Sequence, residues 1–446
     1  MKFVLTCLTT LSLLAAATHA ASADEWQSLF DGTSLNGWHL INGSAKYEVV
    51  DGAIVGTTQA GSPNSFLATE RRFDDFILEF EVKQTVGPSN SGVQFRSQSN
   101  PEVMQGRVRG PQMDLDPSER QWTGGLYDEA VSGWWYPGTL NPQPGLYRFD
   151  EWNHIRIEAV GPSLRTWVNG QLSAYVLDAT YKEGFIALQV HSIDKPDEAG
   201  RKIHWRKLRI KEHPVASPAA ATIFVRNNLP NDLSEVERRQ GWQLLWDGSS
   251  MSGWRSARRD APPTHGWRIK DGELIVTGSG GGDIVTRQTF QAFELQLDFK
   301  LTPGANSGIK YYVADYGTDS AVGLEYQLLD DERHGDAKQG KDGNRTLASL
   351  YDIQPRERLM SNLGIAPKVG EWQHARIVAR PDGTVEHWLN GVKVLSYQRG
   401  SQDFQRRVAD SKFKDIAGFG QLERGRILLQ DHGDEVRFRS IKIRTL

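Results

Sequence analysis

An internal duplication constrains the fold of this chain more than any other feature of its 446 residues. The segment WQSLFDGTSLNGW at 26–38 recurs as WQLLWDGSSMSGW at 242–254, and further matching segments follow in the same order. They include NSGVQFR with NSGIKYY, GGLYDE with ASLYDI, RTWVNGQLSAYV with EHWLNGVKVLSY, and FIALQVHS with ILLQDHGD. Two homologous domains are therefore predicted, at 24–212 and 241–446.

The composition of each copy predicts an all-β fold. Short runs rich in Val, Ile, Phe, Tyr and Trp are separated by Gly, Asn, Asp and Pro, and helical periodicity is nearly absent. Asn169-Gly170 and Asn390-Gly391 each stand between alternating strands, as in two-residue hairpin turns, where both positions accept positive φ. We expect two tandem jelly-roll sandwiches, each with two antiparallel sheets. A two-blade or barrel architecture is the less favoured alternative.

The segment at 1–23 predicts a secretory signal peptide, since Lys2 precedes an apolar run and then small residues. The single cysteine, Cys7, lies inside it, so the mature chain would contain no disulfide. No later apolar run approaches the ~20 residues needed to cross a bilayer. We therefore expect a periplasmic or secreted protein without a membrane span.

The segment at 213–240 is predicted to link the two domains. The Pro and small residues of HPVASPAAAT can neither pair well in a sheet nor fill a core. Ser234 and Glu237 have the spacing of a capping box, which predicts a short helix that bridges the domains.

Charge and motif content narrow the function. The 52 basic and 55 acidic residues give a net charge of −3, which supplies no field for nucleic acid or an anionic membrane. The sequence lacks a nucleophile elbow, a zinc-protease motif, a P-loop and a dinucleotide fingerprint, so no nicotinamide cofactor is expected. Asp114 and Asp116 match the two-carboxylate pattern of glycosidases only weakly, which disfavours direct glycoside hydrolysis.

Three strands of each copy carry polar residues at positions i and i+2, which lie on one face of a strand. The second copy has Lys310 and Tyr312, Glu325 and Gln327, and Gln430 and His432; the first has Gln94 and Arg96, Gln112 and Asp114, and Gln189 and His191. If the strands are neighbours, about 4.8 Å apart, these residues form a patch the size of a sugar ring. The alternative is a solvated outer face, which is common in antiparallel sheets.

A charged segment from Asp330 to Lys338, with Arg345 and Tyr351 beyond it, is either a solvated loop or one wall of this pocket. The first copy has SGWWYPG at the corresponding place. Its Trp134 and Trp135 either stack on a sugar face or cover the sandwich.

Together, LFDG-x-S-L-x-GW, the NSG strand, G-x-E-Y-Q-x-L-D, LYD, HWLNG and LQDHGDEVRFRSIKI resemble the 3-keto-disaccharide hydrolase domain family, in two copies. The resemblance implies a concanavalin A-like lectin/glucanase fold and a sugar substrate already oxidised at C3 by a separate oxidoreductase. It also implies removal of the C2 proton, elimination of the glycosidic oxygen and hydration. The first copy departs from the pattern at Gln112 and Asp114, which favours the second copy as the catalytic one.

The resemblance and the polar pairs suggest roles for these residues. His432 or Glu325 would be the base, and Lys310 or Arg345 would stabilise the enolate, while Gln327, Gln430 and Tyr351 would position ring hydroxyls. A divalent metal could replace the cation, with Glu325, Asp330 and His432 as ligands. The rival hypotheses are a non-catalytic pair of glycan-binding domains, or a catalytic second domain with a binding first domain.

Overall fold

The computed structural model describes residues 25–141, 143–218, 222–314, 321–357 and 365–446. The predicted signal peptide at 1–23, with Cys7, lies outside these residues. Within them, no helix has both the length and the apolar character needed to span a bilayer.

The strands of the first domain are β1 (Gln27–Ser28), β2 (Trp38–Asn42), β3 (Lys46–Val50), β4 (Ala53–Thr57), β5 (Ser65–Thr69), β6 (Phe76–Thr85), β7 (Ser91–Ser97), β8 (Gly110–Leu115), β9 (Leu126–Glu129), β10 (Gly133–Tyr136), β11 (Asn153–Val160), β12 (Ser163–Val168), β13 (Gln171–Leu177), β14 (Phe185–Val190) and β15 (Lys202–Glu212). The connecting segment contains β16 (Arg226–Asn227) and the helix α1 (Glu235–Arg239).

The second domain contains β17 (Gln243–Leu244), β18 (Trp254–Ser256), β19 (Trp267–Lys270), β20 (Glu273–Thr277), β21 (Ile284–Thr286), β22 (Phe293–Leu301), β23 (Asn306–Ala314), β24 (Val322–Leu329), β25 (Gln373–Ala379), β26 (Thr384–Leu389), β27 (Val392–Gln398), α2 (Gln402–Ala409), β28 (Arg426–Leu429) and β29 (Glu435–Thr445). Short 3₁₀ turns lie at Met104–Gly106, Gly138–Leu140, Pro196–Glu198 and Gly335–Lys338.

Each domain is a sandwich of two sheets. In the first, a nine-stranded sheet in the order β16-β13-β12-β11-β6-β15-β4-β3, with β1 on β15, faces a seven-stranded sheet in the order β10-β9-β8-β7-β14-β5-β2. In the second, the orders are β19-β20-β29-β22-β25-β26-β27, with β17 on β29, and β18-β21-β28-β23-β24. The two-sandwich prediction is confirmed. The barrel alternative is wrong, because each domain keeps two separate open sheets.

The cores lie between the two sheets of each domain and explain why the apolar residues alternate. Ile309 and Tyr311 of β23 point into the second core together with Leu324 and Tyr326 of β24, and all four are fully buried. The residues between them therefore point to the other side of the five-stranded sheet. That second side is where the polar residues of the candidate site lie.

The predicted hairpin turns are present in both domains. Asn169 and Gly170 join β12 to β13 with φ of 49° and 81°, and Asn390 and Gly391 join β26 to β27 with φ of 49° and 80°. Both positions of each turn thus have the left-handed backbone that favours Asn-Gly in two-residue hairpins.

The connecting segment is more than the spacer that its composition predicts. Its strand β16 pairs in parallel with β13, and Ile223 and Val225 pack against Tyr175 and Leu177 of the first domain. Hence the 213–240 segment adds a strand and apolar surface to the first sandwich.

The helix α1 begins with the capping box expected from the sequence. The Ser234 hydroxyl accepts a hydrogen bond from the Glu237 amide, and the Glu237 carboxylate accepts one from the Ser234 amide. The same carboxylate pairs with Lys442 of β29, and both side chains are buried, at 2% and 3% exposure. The helix therefore connects the linker to the second domain through a buried ion pair.

Replacing Lys442 with Met should lower the free energy of unfolding by about 3 kcal/mol, because the buried Glu237 carboxylate would lose its counter-charge. Urea denaturation followed by tryptophan fluorescence measures this change. The control is Glu235→Ala on the same helix, whose side chain is 83% exposed, and which should change stability by less than about 0.5 kcal/mol. Equal effects from the two variants would contradict a bridging role for the ion pair.

Candidate functional site

The second domain has a cavity of about 310 Å³ on the outer side of its five-stranded sheet. We call it the polar cavity. It is lined by Asn306, Lys310, Ala321, Val322, Gly323, Glu325, Gln327, Tyr351, Lys412, Phe413, Ile416, Gln430 and His432. The structure thus brings six of the predicted residues of this domain into one hollow: Lys310, Glu325, Gln327, Tyr351, Gln430 and His432.

The floor of the polar cavity is an antiparallel ladder of three adjacent strands. Lys310 on β23 lies directly opposite Glu325 on β24, and Gly308 lies opposite Gln327. On the other side of β23, the Gln430 amide donates to the Gly308 carbonyl at 3.0 Å. Because side chains directly opposite each other point to the same face, the pairing presents an ammonium and a carboxylate side by side.

A glycine makes room for the carboxylate. A Cβ atom on Gly308 would lie 2.1 Å from Oε1 of Glu325, so the Glu325 side chain occupies the space above β23 that other residues would fill. The first domain repeats this arrangement, since a Cβ on Gly92 would lie 2.4 Å from Cδ of Gln112. The glycine of the NSG motif in each copy therefore leaves space for a side chain of the adjacent strand, Glu325 or Gln112, to lie over it.

Glu325 is the buried acid of the cavity, with only 6% of its surface exposed. Burial raises the pKa of Glu325, whereas the positive charges of Lys310 and Lys412 oppose the rise. In the amide orientation that satisfies its neighbours, Gln327 donates to Oε1 of Glu325 at 3.2 Å. The nearby Asp283 also has a raised pKa because of burial. The result is a carboxylate that binds a proton more tightly than an exposed glutamate.

One wall of the cavity is a loop held by a chain of ion pairs. The Tyr351 hydroxyl donates to Asp336 at 2.7 Å, and Asp336 pairs with Arg345 at 2.8 Å. Arg345 also bonds Asp352 at 2.7 Å, and the second oxygen of Asp352 accepts the Lys412 amide at 2.7 Å. Arg345 and Asp336 therefore fix the position of Tyr351 from behind the wall.

Lys412 is a lining residue that sequence reasoning missed. It lies beyond α2, and its Nζ is 4.2 Å from the centroid of the Tyr351 ring. Partial loss of water lowers the pKa of Lys412; Glu325 opposes this shift and Lys310 adds to it. A difference between the two copies could have indicated this segment. In the first copy β14 follows soon after β13, whereas in the second copy α2 and the segment with Lys412 lie between β27 and β28.

Two residues expected on the polar face point elsewhere, because each strand has a bulge. Tyr312 and Arg96 have φ of 51° and 47°, and the strand register shifts at both places. Tyr312 and Arg96 occupy equivalent positions in the two copies. Gly425 packs against the backbone of Tyr312, and Gly184 packs against the backbone of Arg96. A bulge inserts one extra residue and so reverses the alternation beyond it.

The prediction that Tyr312 and Arg96 belong to the site is therefore wrong. Tyr312 is 2% exposed in the second core, its ring centroid 5.8 Å from that of Phe293. Arg96 is 1% exposed and bonds the Asp75 carboxylate at 2.7 Å.

Arg345 and Asp330 also lie outside the lining of the polar cavity. Arg345 acts behind Tyr351, as described above. The Asp330 carboxylate accepts the Gly304 amide at 2.8 Å and the Glu332 amide at 3.1 Å, so it holds a turn together. Neither is placed to contact a molecule in the cavity directly.

The equivalent face of the first domain is packed. Gln94, Gln112, Asp114 and Gln189 are each at most 3% exposed, and the Gln94 amide donates to Gln112 at 2.8 Å. Burial, followed by the charge of Asp116, raises the pKa of Asp114 to about 8. Gln94 and Gln112 thus bond each other, whereas Asp114 accepts from Asn90 at 3.1 Å and the buried amide of Gln189 has no partner within the described residues.

Two other predicted residues of the first domain line different cavities. His191 borders a cavity of about 460 Å³ together with Asp116 and Arg120. Trp134 packs edge-on against Trp122, with ring centroids 4.9 Å apart, and borders a cavity between the domains.

The sequence suggested a divalent metal held by Glu325, Asp330 and His432. Over the described ranges, no group of three or more His, Cys, Asp or Glu residues is arranged to hold a metal ion. Of the expected ligands, Glu325 and His432 share the polar cavity, but Asp330 bonds the turn at Gly304. The expected three-ligand set is therefore not assembled.

Comparison with known proteins finds related sequences for both halves of the chain. A family model described as the 3-keto-alpha-glucoside-1,2-lyase-like domain matches residues 25–211 and 241–444. A 3-keto-disaccharide hydrolase of Bacteroides thetaiotaomicron is 35% identical over 235 residues, which are 46% of this chain and 79% of that relative.

Two crystal structures from Parabacteroides distasonis, described provisionally as glycosyl hydrolases, are also similar. One is 32% identical and covers 49% of this chain and 99% of its own, with a TM-score of 0.42. The other is 26% identical and covers 46% and 99%, with a TM-score of 0.35.

Replacing Gly308 with Ala should displace the Glu325 carboxylate and lower the free energy of unfolding by about 1–3 kcal/mol, since the added methyl overlaps Oε1. Chemical denaturation measures the stability, and a crystal structure of the variant locates Glu325. Gly335→Ala is the control, because a Cβ there meets nothing within 4 Å. A Gly308→Ala protein as stable as the parent, with Glu325 in place, would refute this role of the glycine.

Proposed function

Because the chain belongs to the family of 3-keto-alpha-glucoside-1,2-lyase-like domains, we propose that it is a carbohydrate-active hydrolase whose second domain cleaves 3-keto-glycosides. The observation that carries this proposal is the buried Glu325 beside Lys310 and Lys412 in a cavity of about 310 Å³. A buried carboxylate with a raised pKa is suited to proton transfer, and adjacent ammonium groups are suited to stabilising an oxyanion.

The proposed reaction begins at C2 of the sugar. A ketone at C3 acidifies the C2 proton, which passes to the Glu325 carboxylate while negative charge develops on the C3 oxygen. The bond from C1 to the glycosidic oxygen then breaks, which leaves a double bond between C1 and C2. The departing oxygen takes a proton and leaves as an alcohol. Water adds its hydroxyl to C1 and a proton to C2, so the net change is hydrolysis.

The side chains divide this work by their charge and position. Glu325 is assigned as the base, since burial strengthens its affinity for a proton. Lys310 and Lys412 stabilise the enolate oxygen, and both interact electrostatically with Glu325. His432, exposed at the rim, is assigned as the acid for the leaving oxygen. Gln327, Gln430 and Tyr351 hold ring hydroxyls.

The first domain is assigned a non-catalytic role in this proposal. At the position of Glu325 it has Gln112, which is hydrogen-bonded to Gln94. At the position of Lys310 it has Gln94, so the base and the cation are both missing from the equivalent strands. We further propose that the chain is exported and receives its substrate from a separate oxidoreductase that acts at C3.

Glu325→Gln should lower kcat/KM on a chromogenic 3-keto-glucoside by about 10²-fold or more, because the amide cannot accept the C2 proton. Asp114→Asn, the same change on the matching strand of the first domain, should leave the rate nearly unchanged. The unoxidised glucoside should not be cleaved by any of these proteins. Rapid cleavage of that glucoside, or near-normal turnover by folded Glu325→Gln, would refute the proposal.

The pH profile gives a second test. The rate should rise with pH as Glu325 loses its proton, with a midpoint above the ordinary glutamate pKa of about 4.3. Because the charge of Lys412 lowers the pKa of Glu325, Lys412→Met should move the midpoint to higher pH. Lys414→Met, an exposed lysine two residues along, should leave it in place. An unmoved midpoint in Lys412→Met would exclude Glu325 as the titrating base.

A further inference from the structure

A second, larger cavity of about 660 Å³ lies between the two domains. We call it the interdomain cavity. Its lining includes Trp134 and Tyr181 of the first domain, Arg226 of the connecting segment, and Trp372, His374 and Trp388 of the second domain. It is about twice the size of the polar cavity, and its volume is typical of sites for small ligands.

Half-buried tryptophans form much of the wall of the interdomain cavity. Trp134, Trp372 and Trp388 each keep part of their surface exposed. Stacked cations hold two of the rings: the Arg376 guanidinium carbon lies 4.7 Å from the Trp388 centroid, and that of Arg439 lies 4.1 Å from the Trp372 centroid. Lys300 Nζ also lies 4.8 Å from the Trp372 centroid, so these fixed rings offer mainly rigid apolar edges to a ligand.

Two buried polar atoms in the lining lack a hydrogen-bond partner within the described residues: Nε2 of His374 and Nη1 of Arg226. Both side chains are held by the buried Asp298, which contacts His374 Nδ1 at 3.0 Å and Arg226 Nη2 at 3.3 Å. Burial lowers the pKa of His374 to about 3, so the ring is neutral at neutral pH.

The orientation of these groups identifies the ligand chemistry that suits them. With Nδ1–H donating to Asp298, Nε2 of His374 is an acceptor, whereas Nη1 of Arg226 is a donor. A ligand hydroxyl can donate to Nε2, and a ligand oxygen can accept from Nη1. Buried polar atoms without partners are costly, so a ligand hydroxyl would gain by reaching them.

Five charged side chains of the lining form ion pairs, while Asp128 and Asp178 accept hydrogen bonds from Tyr181 and Asn228, and Lys300 stacks on Trp372. Arg226 and Arg439 pair with Asp298 at 3.3 Å each, Arg376 pairs with Glu294 at 2.6 Å, and Lys368 pairs with Glu371 at 3.5 Å. A charged ligand would compete with these pairs. The lining therefore favours an uncharged ligand that has both hydroxyl groups and apolar faces.

We propose that the interdomain cavity binds an uncharged oligosaccharide, without cleaving it. The tryptophans would contact the apolar faces of the sugar rings, and His374 and Arg226 would bond ligand hydroxyls. Because the lining comes from both domains and the connecting segment, a bound glycan holds the two sandwiches together. This binding site is independent of the polar cavity and of the reaction proposed for it.

Isothermal titration calorimetry of the full mature chain tests the proposal, with maltotetraose and cellotetraose as neutral probes and tetragalacturonate as the charged probe. At least one neutral tetrasaccharide should bind, and more tightly than tetragalacturonate. Trp372→Ala should weaken its binding by about tenfold or more, a change typical of an aromatic anchor. His374→Phe, which keeps a planar ring but removes the acceptor, should also weaken it.

Two control variants separate this site from other surfaces. Glu325→Gln in the polar cavity and Trp26→Ala in the first domain should leave the affinity unchanged. The proposal is overturned if neither neutral probe binds at millimolar concentration, or if tetragalacturonate binds most tightly. It is also overturned if Glu325→Gln abolishes binding while Trp372→Ala and His374→Phe have no effect.

Discussion

The pairing of β23 with β24, which sets Lys310 opposite Glu325, is the constraint on which the polar cavity depends. The register of this ladder sends Ile309 and Leu324 into the core and the charged pair to the outer face. A slip of one residue would reverse every side chain, so the strength of the apolar core also fixes the site. Gly308 completes the arrangement, because only a residue without a side chain leaves space for the carboxylate.

Duplication kept this scaffold in both domains while the surroundings diverged. The outer sheets share a strand order, and both have a glycine under the crossing side chain and a bulge further along. In the first domain β9 and β10 extend the sheet, and the glutamines bond each other. In the second, a longer segment between β27 and β28 brings Lys412 to the cavity. Such changes are tolerated because long surface insertions add little entropy cost.

The alternation of side chains along the strands predicted those parts of the polar cavity that lie on regular strands. Lys310, Glu325 and Gln327 lie at alternate positions on the neighbouring strands β23 and β24, and Gln430 and His432 follow directly after the next strand, β28. The bulges at Tyr312 and Arg96 interrupt this alternation. Tyr and Arg do not favour positive φ, so the residues themselves give no sign of a bulge. The sign is the glycine that packs against each bulge, which comes from a distant part of the chain. Lys412 lies on an irregular segment, where no period exists to predict its direction.

By itself, the sequence determined the duplication, the all-β class, the Asn-Gly hairpins and the capping box of α1. Each of these follows from properties of residues that are close together in the chain: side-chain alternation, backbone φ preference and local hydrogen bonding. Only the tertiary structure decided which polar faces stay open, which are packed, and that a cavity lined by tryptophans forms between the domains. These outcomes depend on contacts between residues far apart in sequence, whose distances no local pattern specifies.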